Sequence, residues 1–249
     1  MNRLVVLLLG VFLMLNLTPG LQGEEISTRS GGLGEVALVH PAAGEIGDLP
    51  LVEIAAHGPA SDYMAVFWSG DGGWADLTRD ISAGLAGLGV PVVGVNSLKY
   101  FWTKRTPEQT AKDLGRIIRY YTALWQKEKV VLIGFSWGAD IVPFAANLLG
   151  GELKSRVELI ALLNPAFQAD FEFHLDDWLG ARSKTELPTL PEIMELSETR
   201  LLCIYGEEER DSVCPQLQGT NIKKIELAGA HHFGGDYAQL SQIIFREMD

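Results

Sequence analysis

Short apolar runs of β type recur along the chain at 36–39, 52–55, 64–68, 90–95, 129–135, 157–163, 201–205 and 222–227, and each reads as a strand. Between the later runs the apolar spacing changes to the period of a helix. The clearest case is 106–126, where Leu114, Ile117, Ile118, Tyr121, Leu124 and Trp125 fall on one face. Thr106 can cap this helix, Pro107 suits its first position, and Gln109 completes a capping box. The stretches 76–88, 139–149 and 236–246 read as three more helices. Early strands followed by alternating strands and helices predict an α/β layer fold with a mostly parallel sheet. The acidic, Pro-containing stretch 170–196, between two strand candidates, reads as a small cap excursion over the sheet's edge.

The first apolar run has a different character. Arg3 precedes an apolar stretch over 4–15 that is broken at Asn16 and followed by Pro19 and Gly20, the pattern of a secretory leader. A membrane span needs roughly 20 apolar residues, so the run is short for a permanent one. The lack of an A-x-A cleavage pattern keeps an uncleaved anchor as the alternative, and no Cys follows that could carry a lipoprotein lipid. The expected organisation is therefore a leader over 1–23, a linker over 24–34 and a single domain over 35–249, exported to an oxidising compartment.

Composition narrows the function classes. A chain of 249 residues with 47% hydrophobic and 21% charged positions is ordinary for a globular protein and excludes disordered, collagen-like and coiled-coil classes. A formal charge of -12 argues against a nucleic-acid partner, which needs a surplus of Lys and Arg, and tolerates cationic ligands.

Candidate chemistry starts at Gly134-Phe135-Ser136-Trp137-Gly138, which lies between a predicted strand and a predicted helix. A sharp strand-to-helix turn flanked by glycines projects the Ser136 hydroxyl above the sheet as a nucleophile. Serine needs a base and an orienting acid, which in a hydrolase of this layout follow in the order acid, then His. His40 and His57 precede Ser136, and His174 lies before the last strands, which leaves the pair His231 and His232. His232, beside the apolar Phe233, is favoured over His231. The acid is expected just past the strand at 201–205, where Glu207, Glu208, Glu209 and Asp211 compete. Asp211 is favoured for its short, easily fixed side chain, Glu207 and Glu208 are the alternatives, and Glu209 reads as a solvated loop residue.

The oxyanion donors are expected to be the main-chain N–H of Trp137 and that of Asp71, in the Gly-rich segment Ser69-Gly70-Asp71-Gly72-Gly73-Trp74. A phosphate loop would require a Lys and a Ser or Thr that this segment lacks. The paired His and Asp236 supply too few ligands for a metal, and the chemistry calls for no cofactor. Cys203 and Cys214 flank the acid loop and are expected to form a disulfide, with two buried thiols as the alternative.

At these residues the sequence resembles the VirJ/AcvB family of periplasmic bacterial virulence proteins. The segments SGDGGW, PVVGVNSLKYFWTKRTPEQTAKDL, VVLIGFSWGAD, ADFEFHLDDWLG, LLCIYGEEERDSVCP and GAHHFGGDY, spanning Ser69 to Tyr237, carry the resemblance. It implies an α/β-hydrolase fold, a periplasmic location, hydrolysis of the ester joining lysine to phosphatidylglycerol, and an association with type IV secretion components. Lysine brings ammonium groups, and Asp170, Glu172, Asp176 and Asp177 of the excursion are placed to complement them, a solvated acidic loop being the bland alternative. Lys99-Tyr100-Phe101-Trp102-Thr103-Lys104-Arg105 mixes aromatics with cations. It reads either as a loop docking the catalytic face on a membrane, with Trp102 near the substrate, or as an inner wall of the cleft. Two competing readings are a broad esterase or peptidase and a binding partner of a secretion apparatus.

Overall fold

The computed structural model describes residues 46–174 and 186–248. The leader, the linker, the strand expected at 36–39, and Asp176 and Asp177 lie outside the described residues.

Among the described residues nine strands and seven helices follow one another, here numbered in chain order. The strands are β1 (Leu51–Ile54), β2 (Tyr63–Trp68), β3 (Val92–Val95), β4 (Lys129–Phe135), β5 (Val157–Leu163), β6 (Gln168–Ala169), β7 (Leu187–Pro188), β8 (Arg200–Gly206) and β9 (Ile222–Leu227). The helices are α1 (Asp76–Gly87), α2 (Ser97–Tyr100), α3 (Pro107–Trp125), α4 (Trp137–Asn147), α5 (Gly151–Lys154), α6 (Thr189–Glu195) and α7 (Tyr237–Arg246). The sheet has seven strands in the order β1-β3-β2-β4-β5-β8-β9. Only β1 runs antiparallel to its neighbour, so β2, β4, β5, β8 and β9 all end at the same edge.

Both faces of this sheet are covered, and alternation along β2 shows how. Met64, Val66 and Trp68 point to the layer containing α3, α4 and α6, whereas Ala65 and Phe67 point to the layer of α1 and α7. Helix α3 carries the predicted capping box, with Thr106 accepting from the Gln109 amide and Gln109 accepting from the Thr106 amide. A cap contributes about 1 kcal/mol. The buried face, with Leu114, Ile117, Ile118 and Tyr121 almost fully enclosed, contributes roughly 1.5–3 kcal/mol per large side chain and decides the helix's position. Leu124 departs from the expected face and is exposed near the helix end.

Sequence and structure differ mainly at short elements. Helices α2 and α5, of four residues each, are too short to show a period. Strand β3 starts at Val92 rather than at residue 90, because Pro91 has no N–H to pair. In the described part of the expected excursion, β7 pairs antiparallel with β6, and α6 then buries Ile193 against the sheet layer.

Candidate active site

Strand β4 ends at Phe135, helix α4 begins at Trp137, and Ser136 alone makes the turn, with φ 51° and ψ -123°. The left-handed φ lifts the side chain off the sheet edge, while its N–H donates to the Leu163 carbonyl at 2.8 Å. The flanking glycines are required by close approach. A Cβ on Gly134 would lie 2.5 Å from the Gly138 carbonyl oxygen, and one on Gly138 would lie 2.3 Å from that of Trp68. Ser136 caps α4, so a charge developing on its acyl group lies at a helix N-terminus.

The base is His231. Its Nε2 lies 2.8 Å from Ser136 Oγ, and its Nδ1 lies 2.6 Å from Glu209 Oε2. A carboxylate only accepts, so this pairing puts the ring proton on Nδ1 and leaves Nε2 to take the serine proton. The expected His232 is exposed. Phe233, with φ 52° and 4% exposure, plugs the loop into the α1/α7 layer. Held in that turn, His231 faces the nucleophile and His232 faces solvent. The apolar neighbour does fix the loop, but it does not identify the base.

The acid corrects the sequence reading in the same way. Asp211, Glu207 and Glu208 are exposed, while the Glu209 side chain is 16% exposed and bonded to His231. The chain turns immediately after β8, with the Glu207 amide on the Leu227 carbonyl, the Glu208 amide on the Gly229 carbonyl and the Glu209 amide on the Gly206 carbonyl. This turn runs beside the end of β9, so the third residue reaches the imidazole and the longer side chain suits the gap. Asp211 serves Glu209 instead, donating its backbone N–H to Glu209 Oε1 at 3.4 Å.

Cys203 and Cys214 are joined in a disulfide, both fully buried, and the bridge closes the segment that carries Glu209. Replacing both by Ala is expected to cost roughly 3 kcal/mol, the chain-entropy value for a loop of this size. Activity should fall with it as the acid loop loosens. Chemical denaturation beside steady-state kinetics checks this, and an unchanged midpoint would remove the bridge from the account of the acid's position.

Asn164 was not foreseen. It sits past β5 at φ 51° and is 2% exposed. Its carboxamide oxygen accepts from the Gly206 amide at 3.0 Å and its nitrogen donates to the His231 carbonyl at 2.9 Å. One side chain thus ties the end of the acid's strand to the base's loop. The sequence signal was an Asn at a strand's end, one of the few residue types besides Gly that adopt the left-handed region.

A cavity of about 210 Å³ opens beside Ser136 and is lined by Asp71, Trp137, Asp140, Gln168, Asp170, Glu172, Phe173, His174 and Glu186. The segments expected to supply the two oxyanion donors therefore meet at the nucleophile. Asp170 and Glu172 also reach the cavity as expected, but partners engage both: His174 Nε2 lies 3.3 Å from Asp170 and 3.8 Å from Glu172, and Lys104 lies 3.1 Å from Glu172. Glu186 and Asp140 were missed, the former in a sparse acidic stretch and the latter one turn inside a helix.

Of the aromatic loop, Tyr100 and Phe101 are buried, and Phe101 packs with Trp68, Trp137 and Phe171. The inner-wall reading holds for these two rings. Of the loop's three rings Trp102 is the exposed one, at 64%, stacked on Phe173 of the cavity wall with centroids 5.3 Å apart.

The model of the bacterial virulence protein VirJ family matches residues 62–249, a span that contains Ser136, Glu209 and His231. The chain belongs to the VirJ family. Nothing among curated proteins matches it. Solved structures similar to this VirJ-family chain share the α/β-hydrolase fold. Est1E from Butyrivibrio proteoclasticus is 14% identical with a TM-score of 0.59, over 81% of this chain and 94% of its own. The Pyrococcus furiosus esterase Pf2001 is 15% identical with a TM-score of 0.57, over 81% and 88%. XC6422 from Xanthomonas campestris, described as an α/β serine hydrolase without a lid, is 14% identical with a TM-score of 0.50, over 79% and 86%.

Proposed function

We propose that this VirJ-family chain is a serine esterase that cleaves aminoacyl esters, with lysyl-phosphatidylglycerol as substrate and lysine and phosphatidylglycerol as products. The observation that carries the reading is the Ser136–His231–Glu209 chain of hydrogen bonds beside a cavity bearing five carboxylates. The hydrogen-bond chain supplies acyl transfer, and the carboxylates suit a cationic acyl group.

In the first step His231 Nε2 takes the proton of Ser136 Oγ as the oxygen attacks the ester carbonyl carbon. Glu209 holds the Nδ1–H and stabilises the imidazolium. The N–H groups of Asp71 and Trp137 are assigned to the oxyanion. Collapse expels the glycerol oxygen, which takes the proton from Nε2 and departs as phosphatidylglycerol. Water then gives a proton to His231 and attacks the lysyl-serine ester, and lysine leaves as Ser136 regains its proton.

Vesicles containing lysyl-phosphatidylglycerol, assayed for free lysine, test this reading. Wild-type protein is expected to release lysine and Ser136→Ala is not. If Ser136 reacts with a fluorophosphonate probe but no lysine is released, the hydrolase assignment stands and the substrate assignment fails.

The periplasmic location and the link to type IV secretion rest on the family resemblance and enter the reading on that basis. Contact with a membrane is reduced to one exposed ring. Trp102→Ser is expected to lower turnover of vesicle-borne substrate several-fold while sparing a soluble lysyl ester. Phe101→Ser is expected to cost about 3–5 kcal/mol of stability, as emptying a packed aromatic site does. Equal effects of Trp102→Ser on both substrates would discard the docking role.

A further inference from the structure

We infer that Asp140, with Asp71 beside it, is the subsite for the substrate's α-ammonium group, so that the enzyme selects 2-amino acyl esters as a class before it reads the side chain. This deepens the proposed function and rests on it.

The argument starts from covalent distance. An α-ammonium nitrogen is attached to the carbon next to the reacting carbonyl, so once Ser136 Oγ has attacked it must lie within a few ångströms of that oxygen. Groups at the outer rim cannot read it. Asp140 stands one helical turn beyond the nucleophile, its N–H bonded to the Ser136 carbonyl at 3.1 Å, and its side chain lines the cavity.

The residue is 7% exposed, and one carboxylate oxygen accepts from the Ala166 amide at 2.6 Å. The other oxygen has no partner among the described residues. Asp140 lines the cavity, so a cation or donor that enters it can meet a carboxylate otherwise mostly enclosed. Burial pushes the Asp140 carboxyl well above its usual range; the Ala166 amide opposes this, and the negative charge of Asp71 adds to it. A cation placed between Asp71 and Asp140 would relieve their mutual repulsion and favour the charged carboxylate against the effect of burial. Asp170 and Glu172 already face His174 and Lys104. Among the described residues no three His, Cys, Asp or Glu side chains converge as a metal ion requires, which favours an ammonium as the occupant.

The chemistry divides lysine in two. Asp140 and Asp71 take the α-ammonium common to all aminoacyl esters. The other cavity carboxylates are left to take the ε-ammonium: Glu186, and Asp170 and Glu172 in competition with His174 and Lys104.

Four glycerol esters separate these contributions: those of lysine, 2-aminohexanoic acid, 6-aminohexanoic acid and hexanoic acid. They share a six-carbon acyl chain and differ only in which ammonium is present. Asp140→Asn keeps an oxygen for the Ala166 amide and removes the charge. It is expected to lower kcat/KM about 30-fold for the lysyl and 2-aminohexanoyl esters, the scale of a charge-assisted hydrogen bond. The loss should be far smaller for the two esters without an α-amino group. Comparing variant with wild type for each ester cancels their different intrinsic reactivities. Asp71→Asn, in an exposed loop and so a safe second variant for folding, is expected to show the same selective pattern at smaller amplitude.

Equal losses on all four esters would overturn the subsite, making Asp140 a support for the Ala166 turn. The aminoacyl-esterase reading would survive that result if wild type still ranked the lysyl ester first. Wild-type preference for the hexanoyl ester would overturn both.

Discussion

Ser136→Ala and His231→Ala are each expected to fold as the parent does and to lose roughly 10⁴- to 10⁶-fold in kcat, with the double variant little worse than either single one. Both side chains act in a single proton transfer, so removing either one removes the step. Neither is a packing residue: the Ser136 hydroxyl stands at an open turn, and the His231 side chain is 41% exposed. His232→Ala is the control and should stay within a few-fold of wild type. The measurement is steady-state ester hydrolysis alongside circular dichroism and thermal melting. An inactive His232→Ala with an active His231→Ala would reverse the assignment of the base.

Glu209→Gln is expected to lower kcat by about 10³- to 10⁴-fold, because a carboxamide can present its N–H₂ to Nδ1 and hold the ring in the wrong tautomer. Asp211→Asn should cost no more than a few-fold, since only its backbone N–H touches Glu209. Glu209→Asp is informative in between. It keeps the charge but shortens the reach across a 2.6 Å contact, and an intermediate loss of about 10²-fold would identify distance as the controlling quantity. Comparable losses in Asp211→Asn and Glu209→Gln would mean that the loop acts as a unit rather than through one carboxylate.

These assignments also show what the sequence could and could not reveal. The sheet was legible because its inner strands are buried on both faces and so appear as continuous apolar runs; β4 and β5 begin and end where the runs do. The nucleophile was legible because its geometry demands glycines at fixed offsets. The base and acid were legible only as loops. Which of two adjacent His, or of four nearby carboxylates, turns inward depends on backbone dihedrals set by contacts with β9 and Asn164, and residue types do not encode those. Length preference misled as well: a short Asp looked easier to fix, whereas the tight turn after β8 leaves a gap that a Glu fills. Asp140 did leave a signal that was passed over, since it is the one charged residue in a helix whose other positions from Gly138 to Ala146 are apolar and buried.

Asn164 bears on the chemical ageing of the enzyme. Its carboxamide uses an oxygen toward the Gly206 amide and a nitrogen toward the His231 carbonyl, so conversion to Asp would set an oxygen against a carbonyl at the base's loop. The usual route to that change is attack on the carboxamide by the next residue's backbone N–H, closing a succinimide ring. The next residue is Pro165, which has no N–H to attack with. The position that joins acid to base is thus closed to the commonest spontaneous lesion of asparagine, and an aged preparation of this protein will lose the amides of its other asparagines first.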